Sequence, residues 1–276
     1  MGIVGLGLMG AGLARNVRRV NRAVRLVAVE PRDDFRALAL ADGIVDEALP
    51  APGAALSACG VVVLCTPVAA IEALLGPVAD LLPGGAVLTD VGGAKERVVA
   101  LAAERVRPAV AFVGAHPMFG GHGGYAGCPA DRWVGGTVAV CTDVRAGTPP
   151  EAVERVAALH ASLGARIERC TAAEHDAAVA MVSHLPYLVA SALARAAQEA
   201  GPLAVHLAGP GLRDMTRLAQ FPFDIQGEVA RRNVHLPEAA ARLERHLKEV
   251  LAAIAESPEA ARTALEAARA AREELF

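Results

Sequence analysis

The stretch that decides the fold is GIVGLGLMG, residues 2–10, at the start of a 276-residue chain. A short β-branched run leads into a GxGxxG pattern, and a helix-patterned segment follows over residues 9–20. In such a strand, turn and helix, Gly5 makes the tight turn, Gly7 lets a pyrophosphate approach the backbone, and Gly10 lets the helix pack on the strand. Free N–H groups at the start of the helix favour binding of the negatively charged pyrophosphate. The stretch therefore predicts a dinucleotide-binding unit.

The end of the next predicted strand indicates which dinucleotide is bound. Glu30 lies there, 20 residues past Gly10. An acidic side chain at this place can accept hydrogen bonds from the ribose hydroxyls and repels a 2′-phosphate. Arg32, two residues later, could instead serve a phosphate. The predicted cofactor is NAD, with NADP as the alternative.

Alternation of strands and helices extends the prediction to a whole domain. Short β-branched runs occur at residues 3–4, 26–29, 61–64, 86–89, 110–113, 137–141 and 166–168. Continuous apolar strands separated by helical stretches indicate a parallel sheet covered on both faces. Beyond Thr171 the pattern is helical, with Glu174 at the spacing of a capping box. We predict an α/β fold, with an N-terminal Rossmann-type dinucleotide-binding domain at 1–171 and an all-helical C-terminal domain at 172–276.

Composition excludes several classes of partner. The chain has 27 basic and 30 acidic residues, a net charge of −3, and only 3% aromatic residues. Nucleic acid is therefore not an expected partner. Five cysteines without a CxxC pair argue against structural zinc and a disulfide framework, so a cytoplasmic location is expected. The apolar stretch 177–194 contains Ser183, His184 and Pro186, and we interpret it as a buried helix rather than a membrane span.

Pro186 lies inside the predicted helix 172–200. Proline lacks an N–H group and clashes with the preceding turn, so we expect a kink there. The kink is either a tolerated bend or a device that turns Ser183, His184 and Tyr187 toward a cleft.

The segment 114–136 holds eight glycines and no clear strand or helix pattern. A long segment of this kind in a compact domain is usually functional or disordered. It begins where a predicted parallel strand ends, the edge at which open α/β sheets bind ligands. His116 near its start would lie by the nicotinamide end of a dinucleotide, as a general base. The alternative is a histidine that only holds the loop.

Other polar positions leave two interpretations open. Cys65-Thr66-Pro67 and DVGGAK at 90–95 end two predicted strands, either at the cofactor or as ordinary turns. Arg213 and Arg217 share a helix face and suit carboxylate recognition, or are solvated surface residues. His175 and His184 lie half a turn out of phase, so this pair does not predict a metal site.

These segments together carry a family resemblance. In order they are GLGLMG at 5–10, DVGGAK at 90–95, GAHPMFGG at 114–121, HD at 175–176, SHLPY at 183–187 and RDMTRLA at 213–219. The chain resembles the prephenate and arogenate dehydrogenases of tyrosine biosynthesis. The resemblance implies NAD(P)-dependent oxidative decarboxylation of a cyclohexadiene dicarboxylate, without a metal, by a homodimer formed through the helical domain.

The resemblance also implies roles for individual residues. His116 takes the proton from the ring hydroxyl, and Arg217 anchors a substrate carboxylate. Arg213, His184 and Tyr187 are expected in the substrate site. The residues expected to bind the cofactor are Gly5, Gly7, Leu8, Met9, Gly10, Glu30, Thr66, Pro67 and Gly92.

Three departures from the family pattern leave alternatives open. Gly93 replaces a serine that helps to orient the histidine, so His116 needs another partner such as Thr66, a backbone group or water. Tyr187 replaces a frequent histidine, and His122 stands where an acid is usual. Prephenate, arogenate or an amino-substituted analogue could be the substrate, or the chain could be an NAD-binding sensor that has lost catalysis. A β-hydroxyacid dehydrogenase is disfavoured, because neither Lys95 nor Lys248 precedes an asparagine by three or four residues.

Overall fold

The computed structural model describes residues 1–120 and 124–275. Backbone contacts divide the chain into two compact units. The first unit comprises Met1–Val179 and Gln220–Asn233, and the second comprises Ala180–Ala219 and Val234–Phe276. The first unit thus reaches beyond residue 171 and takes back a later segment of the chain.

The first unit is built on a parallel sheet, as predicted. Its six strands are β1 (Gly2–Val4), β2 (Val27–Val29), β3 (Glu47–Leu49), β4 (Val61–Leu64), β5 (Val87–Asp90) and β6 (Ala111–Val113). They are arranged in the order β3-β2-β1-β4-β5-β6. The direction of winding reverses between β1 and β4, which makes the carboxyl edge of these two strands the place where such sheets bind ligands. The Rossmann-type fold class is confirmed.

Helices connect these strands, and two apolar clusters cover the two faces of the sheet. The connecting helices are α1 (Leu8–Val20), α2 (Asp33–Ala41), α3 (Val68–Ala79) and α4 (Glu96–Arg105). One cluster includes Ile3 and Leu13, and the other includes Val62 and Leu75, all fully buried. Burial on both faces explains why the strands are continuous apolar runs without alternation.

A second, three-stranded sheet follows β6. It comprises β7 (Ala115–Pro117), β8 (Thr137–Cys141) and β9 (Arg166–Cys170), and α5 (Pro150–Ser162) connects β8 to β9. β7 pairs antiparallel with β8, so that His116 lies opposite Ala139. The prediction of no strand in 114–136 is therefore wrong at its start. Three residues that include a histidine and a proline do not form a recognisable strand pattern, and pairing with β8 decides their conformation.

The segment after β7 is anchored to α1 where the structure describes it. Arg15 donates hydrogen bonds to the carbonyl oxygens of Tyr125 and Cys128, at 2.7 and 3.3 Å. Asn16 donates to the carbonyl of Pro129, at 3.3 Å. Trp133 is fully buried in the same core. The segment 124–134 is thus held to the unit by these hydrogen bonds and by the buried side chains of Tyr125, Cys128 and Trp133, while its other residues are exposed.

Helix α6 (Ala172–Val179) and the returning helix α10 (Glu228–Arg232) also belong to the first unit. The predicted capping box is present, since Thr171 N–H donates to Glu174 at 2.8 Å and Glu174 N–H donates to the Thr171 hydroxyl at 3.2 Å. On α10, Arg232 forms an ion pair with Glu72 of α3 at 2.8 Å, and both side chains are largely buried. These contacts help to hold α6 and α10, which come late in the sequence, in the same unit as the parallel sheet.

The second unit is helical. It contains α7 (Leu185–Glu199), α8 (Pro202–His206), α9 (Pro210–Thr216), α11 (Leu236–Glu256) and α12 (Pro258–Leu275). A wider π-helical turn at Ala180–His184 stands immediately before α7, in which Pro186 is the second residue. The wider turn agrees with the absence of an N–H group on Pro186, which cannot donate to the carbonyl of Val182, and the expected kink stays a prediction.

The apolar helical run Ala172–Glu199 is long and apolar enough to cross a membrane by length and composition alone. Only 28% of its most apolar part is buried within the chain. The interpretation of this stretch as a buried helix is therefore wrong for the single chain. A large exposed apolar surface usually marks a site of interaction.

Candidate active site

The glycine turn has the geometry that the fingerprint requires. Gly5 has a φ of 95°, a conformation that favours glycine. A Cβ atom on residue 10 would lie 1.8 Å from the carbonyl oxygen of Gly5, so only glycine allows the helix to pack this closely. At Gly7 a Cβ would meet nothing within 4 Å, which leaves open space beside the first turn of α1. The turn can therefore accept a phosphate group, with Leu8 and Met9 as the first helical residues.

Glu30 is fixed at the end of β2. Its carboxylate accepts hydrogen bonds from the N–H groups of Leu6, at 2.8 Å, and Arg32, at 3.1 Å. Each oxygen keeps a lone pair that could accept a ribose hydroxyl. The Arg32 guanidinium forms an ion pair with Asp34 at 2.7 Å and lies over the ring of Phe35. A hydrogen bond from Arg32 lowers the pKa of Asp34, so the positive charge near Glu30 already has an acidic partner.

The predicted cofactor residues outside the glycine turn also follow strands of the sheet. Thr66 comes directly after β4, and Pro67 caps α3. The hydroxyl oxygen of Thr66 is buried and has no hydrogen-bond partner in the described part of the chain, so it can serve a ligand or a water molecule. Gly92 follows β5, and its N–H donates to Asp90 at 2.8 Å. All three positions lie at the carboxyl edge of the sheet.

Around His116, three side chains form a continuous hydrogen-bonded row. Nδ1 of His116 lies 2.9 Å from Nε2 of His175, and Nδ1 of His175 lies 2.7 Å from Oδ1 of Asp176. His116 is partly exposed on β7, whereas His175 and Asp176 are buried on α6. His175 is therefore the hydrogen-bond neighbour of the His116 ring, a place for which the sequence suggested Thr66, a backbone group or water.

Asp176 is held as an ionised carboxylate. It accepts hydrogen bonds from the N–H groups of Lys95, at 2.8 Å, and Glu96, at 3.0 Å. Burial acts to raise the pKa of Asp176, but hydrogen bonds from His175 and from these two N–H groups bring it below its usual value. The start of α4 thus provides a preformed site for the negative charge.

The segment from Asp90 to Lys95 fixes the strand that carries His116. The Lys95 ammonium group is fully buried, forms an ion pair with Asp90, and donates to the carbonyl oxygen of Ala115 at 3.0 Å. Asp90 in turn accepts a hydrogen bond from the N–H of Ala115 at 3.3 Å. Both polar groups of the residue before His116 are therefore held by one buried pair. The same Lys95 contacts Asp176 through its backbone, so one turn positions both ends of the histidine row.

Gly93 faces this row. A Cβ atom at residue 93 would lie 3.7 Å from Cε1 of His116 and 3.0 Å from Cγ1 of Val229 on α10. A side chain at position 93 would thus stand beside the histidine ring, but Val229 already occupies part of that volume. The returning segment compensates here for the small residue.

The predicted substrate residues all lie in the second unit. Arg213 is on α9 and Arg217 begins the 3₁₀ turn Arg217–Gln220, both exposed and one helical turn apart. His184 ends the π-helical turn and is buried, and Tyr187 is partly buried on α7. His122 lies outside the described residues.

Three residues of this row and its support, His175, Asp176 and Lys95, lie in motifs quoted from the sequence but were given no role there. A signal existed for each. The His-Asp dipeptide stands in the first turn of a capped helix, and Lys95 is one of two lysines in the chain. In residues 1–120 and 124–275, no three His, Cys, Asp or Glu side chains are grouped to hold a metal ion.

The fold and the glycine turn define a protein of the dinucleotide-binding class. Residues 13–169 match the family model described as prephenate dehydrogenase, nucleotide-binding domain, and residues 171–265 match its dimerization domain. The chain therefore belongs to the prephenate dehydrogenase family, as the resemblance predicted.

Individual relatives agree with this assignment. Prephenate dehydrogenase of Bacillus subtilis is 27% identical over 224 residues, which are 79% of this chain and 59% of the relative. The chain thus spans less than two thirds of that protein's length. The crystal structure of arogenate dehydrogenase from Synechocystis is 29% identical, has a TM-score of 0.84, and is matched over 100% of this chain and 99% of that one. Prephenate dehydrogenase from Aquifex aeolicus, in complex with hydroxyphenyl propionate and NAD⁺, shows the same fold with a TM-score of 0.87 at 22% identity, over 100% and 97% of the two chains.

Proposed function

We propose that this chain is an NAD-dependent dehydrogenase that oxidises and decarboxylates a cyclohexadiene dicarboxylate of the prephenate type. The observation that carries the proposal is His116, set on β7 just past the carboxyl edge of the sheet and hydrogen-bonded to His175. A histidine held in this way suits a general base near neutral pH. Membership of the prephenate dehydrogenase family supports the class of reaction.

The residues present fit the cofactor. The open turn at Gly7, the start of α1 and the carboxylate of Glu30 would hold the pyrophosphate and ribose, and the hydroxyl of Thr66 offers a further polar contact. NAD is favoured over NADP, because Glu30 lies at the expected ribose position and Arg32 is already paired with Asp34. When bound, NAD accepts a hydride from the substrate.

The chain's own residues bind the substrate and move one proton. His116 takes the proton of the ring hydroxyl, and Arg217 with Arg213 binds carboxylate groups through bidentate contacts. Carbon dioxide leaves as the ring becomes aromatic, so the driving force comes from the substrate itself. His184 and Tyr187 complete the substrate contacts. Tyr187 leaves prephenate, arogenate and an amino-substituted analogue as substrates to compare.

A homodimer is the proposed assembly. The match to a dimerization domain supports it, as does an apolar stripe on α11 that is exposed in the single chain, formed by Leu243, Leu247, Leu251 and Ile254. Residues at this spacing lie on one helix face and would pack against a second copy. The charge of −3 disfavours nucleic acid as a partner, and a cytoplasmic location stays a prediction.

The test is a steady-state panel. The protein is mixed with prephenate or arogenate and with NAD or NADP, and the formation of reduced nicotinamide is followed by absorbance. We expect turnover with NAD and at least one of the two substrates. NAD binding without turnover by either substrate would contradict the proposal and favour an NAD-binding sensor.

A further inference from the structure

We infer that His175 and Asp176 are positioning residues that fix His116 in the tautomer with its proton on Nδ1 and an unprotonated Nε2. The inference rests on the proposed role of His116 as general base and adds how that role is set up. It also explains how the chain functions with Gly93 where the family has a serine.

A count of protons along the row leads to this assignment. Asp176 accepts hydrogen bonds from two backbone N–H groups and is ionised, so it has no proton to donate to His175. The proton in the 2.7 Å contact therefore belongs to Nδ1 of His175. Neutral histidine carries one ring proton, so Nε2 of His175 can only accept. The proton in the 2.9 Å contact between the rings then belongs to Nδ1 of His116.

This assignment determines the chemistry of Nε2, the other ring nitrogen of His116. With Nδ1 protonated, Nε2 of neutral His116 carries the electron pair that a general base requires. The other tautomer would place a proton on Nε2 and two facing electron pairs between the rings, which is unfavourable. His175 and Asp176 thus select the reactive form before substrate binds, as the aspartate of a serine protease does for its histidine.

The hydrogen-bonded row can also stabilise the positive charge that forms on His116 when it abstracts a proton. When Nε2 of His116 takes the substrate proton, the ring becomes a cation with protons on both nitrogens. The proton on Nδ1 can then move across the 2.9 Å contact to Nε2 of His175. His116 is then neutral again, and the positive charge lies on His175 against the carboxylate of Asp176. No external reactant is needed, because one proton is gained and one is passed along.

A purely structural role is the competing explanation. Asp176 joins α6 to the start of α4, and Asn233 donates to its carbonyl at 2.7 Å, so the pair could simply tie elements together. A structural role would be indifferent to which nitrogen of His116 carries the proton. The experiment therefore measures that proton directly.

The experiment uses nitrogen NMR of the full chain labelled with ¹⁵N-histidine, without ligands, at a pH above the histidine range. The signal of His116 is identified by its loss in His116→Gln. We expect a protonated Nδ1 and an unprotonated Nε2 for His116. A protonated Nε2 would overturn the inference, and this result needs no catalytic activity. Failure of the proposed function and failure of the inference are thus distinguishable.

Two variants add a kinetic readout. His175→Gln keeps a carbonyl that can accept from Nδ1 of His116 but cannot pass a proton to Asp176, and His175→Phe removes both functions. We expect kcat to fall about tenfold in His175→Gln and about 100-fold in His175→Phe, with NAD affinity unchanged, given that a general base contributes roughly 100-fold or more. His246→Gln, on the exposed face of α11, is the control. Wild-type kcat and an unshifted pH profile in His175→Phe would refute the inference.

Discussion

His160 on α5 makes the stability of the first unit depend on pH. The residue is fully buried, and its Nδ1 accepts a hydrogen bond from Nε1 of Trp133 at 3.0 Å. Burial lowers the pKa of His160 from 6.5 to about 4, because the charged form loses its hydration. Protonation would also turn Nδ1 into a donor that faces the Trp133 N–H. We therefore expect acid to destabilise the folded state through this residue.

The sign and size follow from proton linkage. The unfolded chain takes up the proton near pH 6.5, and the folded chain only near pH 4. The contribution of His160 to the free energy of unfolding is thus complete above about pH 6.5. It decreases as the pH falls and is lost once the pH is below the pKa of His160 in the folded state. At about 1.4 kcal/mol for each tenfold difference in proton affinity, the expected loss is roughly 3 kcal/mol.

The assay is urea unfolding followed by fluorescence at several pH values between 4 and 8. Trp133 is the only tryptophan, so the signal reports on this unit. His160→Gln keeps an acceptor for the Trp133 N–H and does not titrate. The difference in unfolding free energy between wild type and this variant removes the contribution of the carboxylates. We expect that difference to change by about 3 kcal/mol over the range. A difference independent of pH would refute the reasoning.

Three further expectations concern the site. His116→Asn should lower kcat by roughly 10²- to 10⁴-fold while NAD affinity, measured by calorimetry, stays the same, and an unchanged kcat would remove the general base from this residue. Arg217→Ala should raise the KM for the dicarboxylate more than it changes NAD binding, and equal effects on both would place Arg217 outside the substrate site. Gly93→Ser should cost about 1–3 kcal/mol in chemical unfolding because the new Cβ lies 3.0 Å from Val229, and Val229→Ala should relieve the cost; additive effects would contradict the packing argument.

Much of the fold could be predicted because its signals are local. The glycine turn and the continuous apolar strands are written in consecutive residues, and β4 and β8 were predicted with the bounds that the structure shows. β3 and β7 were missed because their sequences, EAL and AHP, contain no β-branched residue, so that pairing with a neighbouring strand decides their conformation. The sequence also does not predict that residues 220–233 pack on the first unit. A helical pattern shows which face of a helix is apolar but not which part of the protein that face contacts.

The candidate site also has one part that the sequence predicts and one part that it does not. The position of His116 could be inferred from the strand before it, because the carboxyl edge of a parallel sheet is where ligands bind. Its contact with His175 could not, since the two residues are 59 positions apart and meet only through the packing of α6 on α4. The buried ion pair of Lys95 and Asp90 could not be predicted for another reason. Sequence alone does not tell a buried lysine from a solvated one.

The interleaving of the two units limits how the chain can be divided. A fragment that ends at residue 171 would keep the glycine turn and His116 but would lose His175, Asp176 and the Arg232 that pairs with Glu72. In that fragment the ring of His116 would lack its contact with His175, and Glu72 would keep only the more exposed Arg97 as an ion-pair partner. Anyone who wishes to graft this nucleotide module onto another protein would need to transplant two separate stretches of the chain, Met1–Val179 and Gln220–Asn233.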